Sequence, residues 1–118
     1  MRFKTSIIKE TIELEQDGKV VKEIPFVFDA SKKWAEVNRL RFKMAENKDN
    51  PETIGKLFLE MLHFALGDAA NELIDYYEGN WEGMILDIAP LFLGTIYPAC
   101  DNAHKTAING LKKAKRRG

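Results

Sequence analysis

Paired cysteines, phosphate-binding glycine loops, membrane-length apolar runs and a net charge are all missing from this sequence, and each absence excludes something. A single cysteine, Cys100, cannot form an intrachain disulfide, and with two histidines the chain lacks the ligand set of a structural zinc site. The longest stretches without a charge are residues 61–67 and 88–100. Both fall short of the ~18–20 apolar residues of a membrane span, and the second is interrupted by Pro90 and Pro98. The opening Met1-Arg2-Phe3-Lys4-Thr5 has neither an apolar signal core nor a small-residue cleavage site, so the expectation is a cytoplasmic protein with no membrane partner. Neither Gly-x-Gly-x-x-Gly nor Gly-x-x-x-x-Gly-Lys-Ser/Thr occurs. Lysine and arginine total 18 against 18 aspartate and glutamate, with 45% hydrophobic residues, which is the composition of a folded chain rather than a disordered one. At 118 residues the chain is one domain's worth and can bury a core.

The charge balance is global but not local. Residues 1–48 carry 11 basic and 8 acidic groups, residues 49–101 carry Lys56 against ten acids, and residues 102–118 carry six basic groups and no acid. Such asymmetry bears on partners and association rather than on fold.

Residues 5–28 alternate with period two. Ile8, Ile12 and Leu14 share a face with Val20, Ile24, Phe26 and Phe28, while Lys9, Thr11, Glu13 and Glu15 lie opposite with Val21, Glu23 and Val27. The pattern predicts a hairpin turning at Asp17-Gly18. A two-residue loop would put Glu23 beside Ile12 on the core face. A three-residue loop ending at Lys19 sets Ile12 opposite Ile24 and is preferred, with Gly18 or Lys19 left-handed. Pro25 lacks a ladder donor and marks its strand as an edge.

Beyond residue 28 the period changes to that of helices. Asp29 or Ser31 caps a helix over 31–46, with Trp34, Val37, Leu40, Met44 and the stem of Arg41 inward. After a polar break, Asn50-Pro51-Glu52-Thr53 supplies cap, proline at the first helical position and first-turn acid. Ile54, Leu57, Phe58, Met61, Leu62 and Ala65 form the next stripe, which stops at Gly67. Asp68 then caps a third helix ending at Gly79, and Asn80 caps a fourth. Pro90 is expected to kink that helix or restart it, and Pro98 to open a last one that frays from Lys112. The fold class is α+β, mostly α. A single domain covers residues 1–111, with the hairpin at 5–28 and a helical part at 29–111, followed by a basic tail at 112–118.

Little in the chain points to catalysis. Cys100 and His104 stand one helical turn apart, as in a thiolate–imidazole pair, and Asp101 would complete a three-ligand cluster. No third orienting group or local signature accompanies them, so they read as a buried thiol beside a polar residue. His63 lies between Leu62 and Phe64 on a helix and reads as structural. Asp68, Glu72, Asp75, Glu78, Glu82 and Asp87 are spaced as a solvated helix face. No enzymatic activity, metal or cofactor is expected. Lys112, Lys113, Lys115, Arg116 and Arg117 could touch phosphates, which makes a nucleic-acid-associated accessory role the alternative reading, but no aromatics interleave them. Trp81, Met84, Ile85, Ile88, Leu91, Phe92, Leu93, Ile96 and Tyr97 outnumber the inward positions of one stripe. From them, Trp81, Met84, Leu91, Leu93 and Tyr97 are selected as a partner-binding set, for a client or a second copy.

The order of elements resembles the small tail assembly chaperones of long-tailed phages and prophages. The resemblance rests on the hairpin, on Phe28-Asp29 followed by a helix, and on the junction Phe64-Ala65-Leu66-Gly67-Asp68-Ala69-Ala70-Asn71-Glu72-Leu73. A tyrosine-bearing turn, the Gly79-Asn80 break and a proline-interrupted helix before an apolar run complete it. It implies a non-enzymatic helper in the host cytoplasm that coats apolar helical segments of the tape-measure protein until the tail tube polymerises, and that is absent from the mature virion. It also implies a longer form, made by ribosomal slippage, whose extension recruits the tail tube protein.

Overall fold

The computed structural model describes residues 7–117, with side chains through Lys113. The expected strand positions Thr5 and Ser6, and the side chains of Lys115, Arg116 and Arg117, lie outside the described residues. The architecture is α+β and mostly α, an antiparallel hairpin followed by four helical rods. Strands β1 (Ile7–Gln16) and β2 (Lys19–Asp29) form a two-stranded sheet. Helices α1 (Ala30–Glu46), α2 (Pro51–Leu66) and α3 (Asp68–Tyr77) follow. The last rod is α4 (Trp81–Leu91), a π-helical turn (Phe92–Ile96) and α5 (Tyr97–Arg117), joined without a break.

The hairpin satisfies both candidate registers. Asp17 and Gly18 are left-handed, at φ 54° and 78°, so the loop has two residues and pairs Gln16 with Lys19. An irregularity between Leu14 and Glu15 then shifts the register by one, and from there Ile12 faces Ile24. The preferred three-residue loop is thus replaced by a tight turn plus a bulge. The shift keeps Ile24, Phe26 and Phe28 buried and leaves Val20, expected inside, 44% exposed.

Three of the helix starts are capped by side chains. The Asp29 carboxylate accepts from the Lys32 amide, Asn50 Oδ1 from Thr53 and Asn80 Oδ1 from Gly83. Asp68 does not cap α3: Gly67, at φ 60°, occupies the cap position and Asp68 is the first helical residue. Helix α3 ends on Glu78, whose φ of 49° closes it one residue before the expected Gly79.

The last rod departs most from expectation. Neither proline breaks it, and the wide turn sits between them. The buried residues Met84, Ile88, Phe92, Ile96 and Cys100 recur every fourth position. Each such step overshoots a 3.6-residue turn by about 40°, so four steps would carry the stripe about 160° around the axis. One extra residue in a π turn takes up about 100° of that drift. Tyr97 accordingly donates its amide to Phe92 across the wide turn, just ahead of Pro98, which has no amide hydrogen to offer Gly94. The tail does not fray at Lys112. Helix α5 runs to Arg117, a stretch of strong helix formers whose positive charge suits a helix C-terminus.

The core is a single cluster. Phe28, Val37, Leu40, Met61, Leu62, Leu73, Phe92 and Ile96 are all essentially inaccessible, and no buried side-chain polar atom among the described residues lacks a partner. The molecule is nonetheless long, 58 × 35 × 21 Å, with a radius of gyration of 16.5 Å, against about 13.5 Å for a compact chain of this length. By length and composition one helix among the described residues, Trp81–Lys113, could cross a membrane. Its apolar residues from Met84 to Cys100 at every fourth position are buried within the chain.

Candidate partner-binding surface

The five residues selected from the sequence part company in the structure. Met84 is 1% exposed, so it belongs to the core and offers almost no surface of its own. Its place three residues into α4, on the line that continues through Ile88 and Phe92, is the reason. Leu91 is half-buried and packs on the same cluster. Trp81 opens α4 with its indole against α2 at Gly55, where an added Cβ would come within 3.1 Å of the ring. Tyr97 is half-buried between layers. Its hydroxyl donates to Met61 Sδ at 3.3 Å, and the Arg41 guanidinium stands 4.1 Å from the ring centroid. Burial pushes that hydroxyl's pKa up, with Arg41 pulling the other way. Leu93 alone is open, at 67% exposure.

Two residues outside the set extend the open surface. Leu86 is 76% exposed and lies seven positions before Leu93, two turns along one side of the rod. Phe42, 67% exposed on α1, lines a shallow groove with Met44, Ala45 and Tyr97. Helix α1 runs antiparallel to α5, as the Trp34–His104 stack and the Arg41–Asp101 ion pair at 3.0 Å establish. The groove therefore lies at the π turn, one turn beyond Leu93. Both residues were visible in the sequence as apolar positions off their helices' inward stripes.

The candidate chemical groups are otherwise engaged. Cys100 is fully buried, and burial pushes its thiol up to about 11, away from the thiolate a nucleophile needs. His104 stacks on Trp34 with ring centroids 4.7 Å apart, and Asp101 pairs with Arg41. Among the described residues no three His, Cys, Asp or Glu side chains are placed to share a metal ion. Asp68, Glu72, Asp75, Glu78, Glu82 and Asp87 are exposed, and Asp87 accepts from the Tyr77 hydroxyl at 2.8 Å. Burial and that hydrogen bond raise the Tyr77 pKa. Lys112 and Lys113 are exposed near the end of α5.

No protein-family model matches this chain, and no curated protein or solved structure is significantly similar to it.

Proposed function

We propose that this protein is a non-enzymatic tail assembly chaperone of a long-tailed phage, which shields apolar helical segments of a tape-measure protein in the host cytoplasm while the tail tube forms. One observation carries the reading beyond the resemblance in sequence pattern. Leu86 and Leu93, 76% and 67% exposed, lie on one side of the long helix, and the groove bearing Phe42 lies a turn farther on. An apolar strip of this length suits the apolar face of a client helix, and several copies along an extended client would each contribute a modest share of the affinity. Displacement by tube subunits can then proceed one copy at a time. The tail tube protein enters through the longer form.

Co-expression with a tape-measure fragment tests it. The wild-type chain should co-purify with the fragment, and Leu93→Glu should abolish co-purification with an unchanged far-ultraviolet circular dichroism spectrum. A folded Leu93→Glu chain that still holds the fragment refutes the reading. A salt-dependent shift of nucleic acid, lost when Lys112 and Lys113 are replaced, would favour the accessory-protein alternative instead.

A further inference from the structure

The long rod ends in an apolar stripe that none of the described residues covers. Up to Ala103 its inward residues pack inside the protein, Cys100 at 0% and Ala103 at 8% exposure. One turn later Ala107 is half-buried, and beyond it Ile108 and Leu111 are 38% and 64% exposed. Helix α1 begins at Ala30 and Trp34 already stacks on His104, so α1 has run out before the stripe does. Exposed Lys105, Lys112 and Lys113 flank these residues.

The other end of the same rod carries the complementary surface. At the start of α4 an apolar recess of about 160 Å³ is lined by Leu59, Ile74, Tyr77, Trp81 and Met84. Asp75, Glu78 and Glu82 are exposed, each next in sequence to a lining residue. The two surfaces cannot meet within one chain. The helix from Trp81 to Arg117 is unbroken, and at ~1.5 Å per residue its 37 residues span about 55 Å, nearly all of the 58 Å long axis.

We propose that this protein self-associates head to tail, the basic end of α5 from one copy seating Ile108 and Leu111 at the acid-rimmed recess beside Trp81 of the next. The two surfaces differ, so each contact leaves one of either kind unused, and assembly gives open chains or rings rather than a two-fold dimer. The contact is small and charge-matched, which makes it dependent on concentration and weakened by salt. It uses neither Leu86 nor Leu93 and stands apart from the client reading.

The test is light scattering with sedimentation velocity on the full chain, at ~0.1 M and ~1 M salt, where the screening length falls from about 10 Å to 3 Å. At low salt the mass should rise above the 13.5 kDa monomer with concentration, and at high salt it should return to it. The double variants Asp75→Lys/Glu82→Lys and Lys112→Glu/Lys113→Glu should each be folded by circular dichroism and monomeric alone. Mixed in equal amounts they should pair as a heterodimer, because the unaltered basic tail of the first then meets the unaltered acidic recess of the second. Deleting residues 112–118 should lower the association without moving the thermal midpoint. A wild-type chain that stays monomeric at low salt overturns the proposal. So do double variants that associate as wild type does, a mixture that stays monomeric, or a tail found occupied by co-purifying nucleic acid.

Discussion

Two neighbouring residues at the wide turn provide the sharpest check on the packing. Phe92 is 1% exposed, its ring 5.4 Å from Phe58 and 5.7 Å from Tyr97, while Leu93 beside it is 67% exposed. Truncating a buried phenylalanine to alanine costs ~3–5 kcal/mol, and the lost ring pairing falls within that range. Truncating an exposed leucine stays within about 0.5 kcal/mol. With a urea slope of ~1.5 kcal/mol per molar, Phe92→Ala should lower the midpoint by about 2–3 M, and Leu93→Ala by no more than ~0.3 M. For a domain held by about 5–15 kcal/mol the first change removes a large part of the margin. Urea melts followed by tryptophan fluorescence decide it, since Trp34 and Trp81 both lie at packed positions. Equal losses for the two variants, or a larger one for Leu93→Ala, would refute the phase assigned to the π turn.

Gly18→Ala should cost ~1 kcal/mol, a few degrees of melting temperature, because nothing crowds an added Cβ there and the φ of 78° alone opposes it; an unchanged midpoint contradicts the two-residue turn. Folding raises the Cys100 thiol from 9.0 to about 11, and burial raises Tyr97 and Tyr77 in the same direction. Each is therefore harder to ionise folded than unfolded: the thiol's contribution is complete below about pH 9 and is lost as the pH climbs through 11, and the two tyrosines act in the same direction. Thermal melts should show the midpoint falling across that window and Cys100→Ala shallowing the fall, whereas a flat profile would show the thiol is not held neutral.

How much of this was legible in the residues depends on how local the signal is. Asp29, Asn50-Pro51 and Asn80 marked helix starts because a cap needs only a side-chain oxygen and an amide three residues on. Asp17-Gly18 marked the turn, but parity over the strands argued for one more loop residue. The conflict was real, and the bulge after Leu14 resolves it, a feature with no residue signature of its own here. Pro90 and Pro98 suggest breaks that the rod does not have, because the wide turn between them accommodates the second. The period-four series from Met84 to Cys100 was already in the sequence and is what an α-helix alone cannot keep on one side. Among the proposed partner residues, Leu93 was distinguishable as off the stripe and Met84 as on it. Trp81 and Tyr97 were not, since their half-burial depends on Gly55 of α2 and Arg41 of α1. The complementary ends of the rod were visible only as blocks of charge until the unbroken helix set them apart.

The π turn also governs what changes of length this chain can tolerate. Removing one residue from 92–96 would restore a plain α-helix and swing everything after it by about 100°. Cys100 and Ala103 would leave α1, the Arg41–Asp101 pair would part, and Pro98 would have to fit a regular turn. A deletion beyond Ala107 disturbs no buried contact and merely shortens the projecting end. The rod is thus fixed in length as far as Ala107 and editable beyond it, so variants of different length should differ in the reach of the basic end while conserving the distance from Trp81 to Ala103.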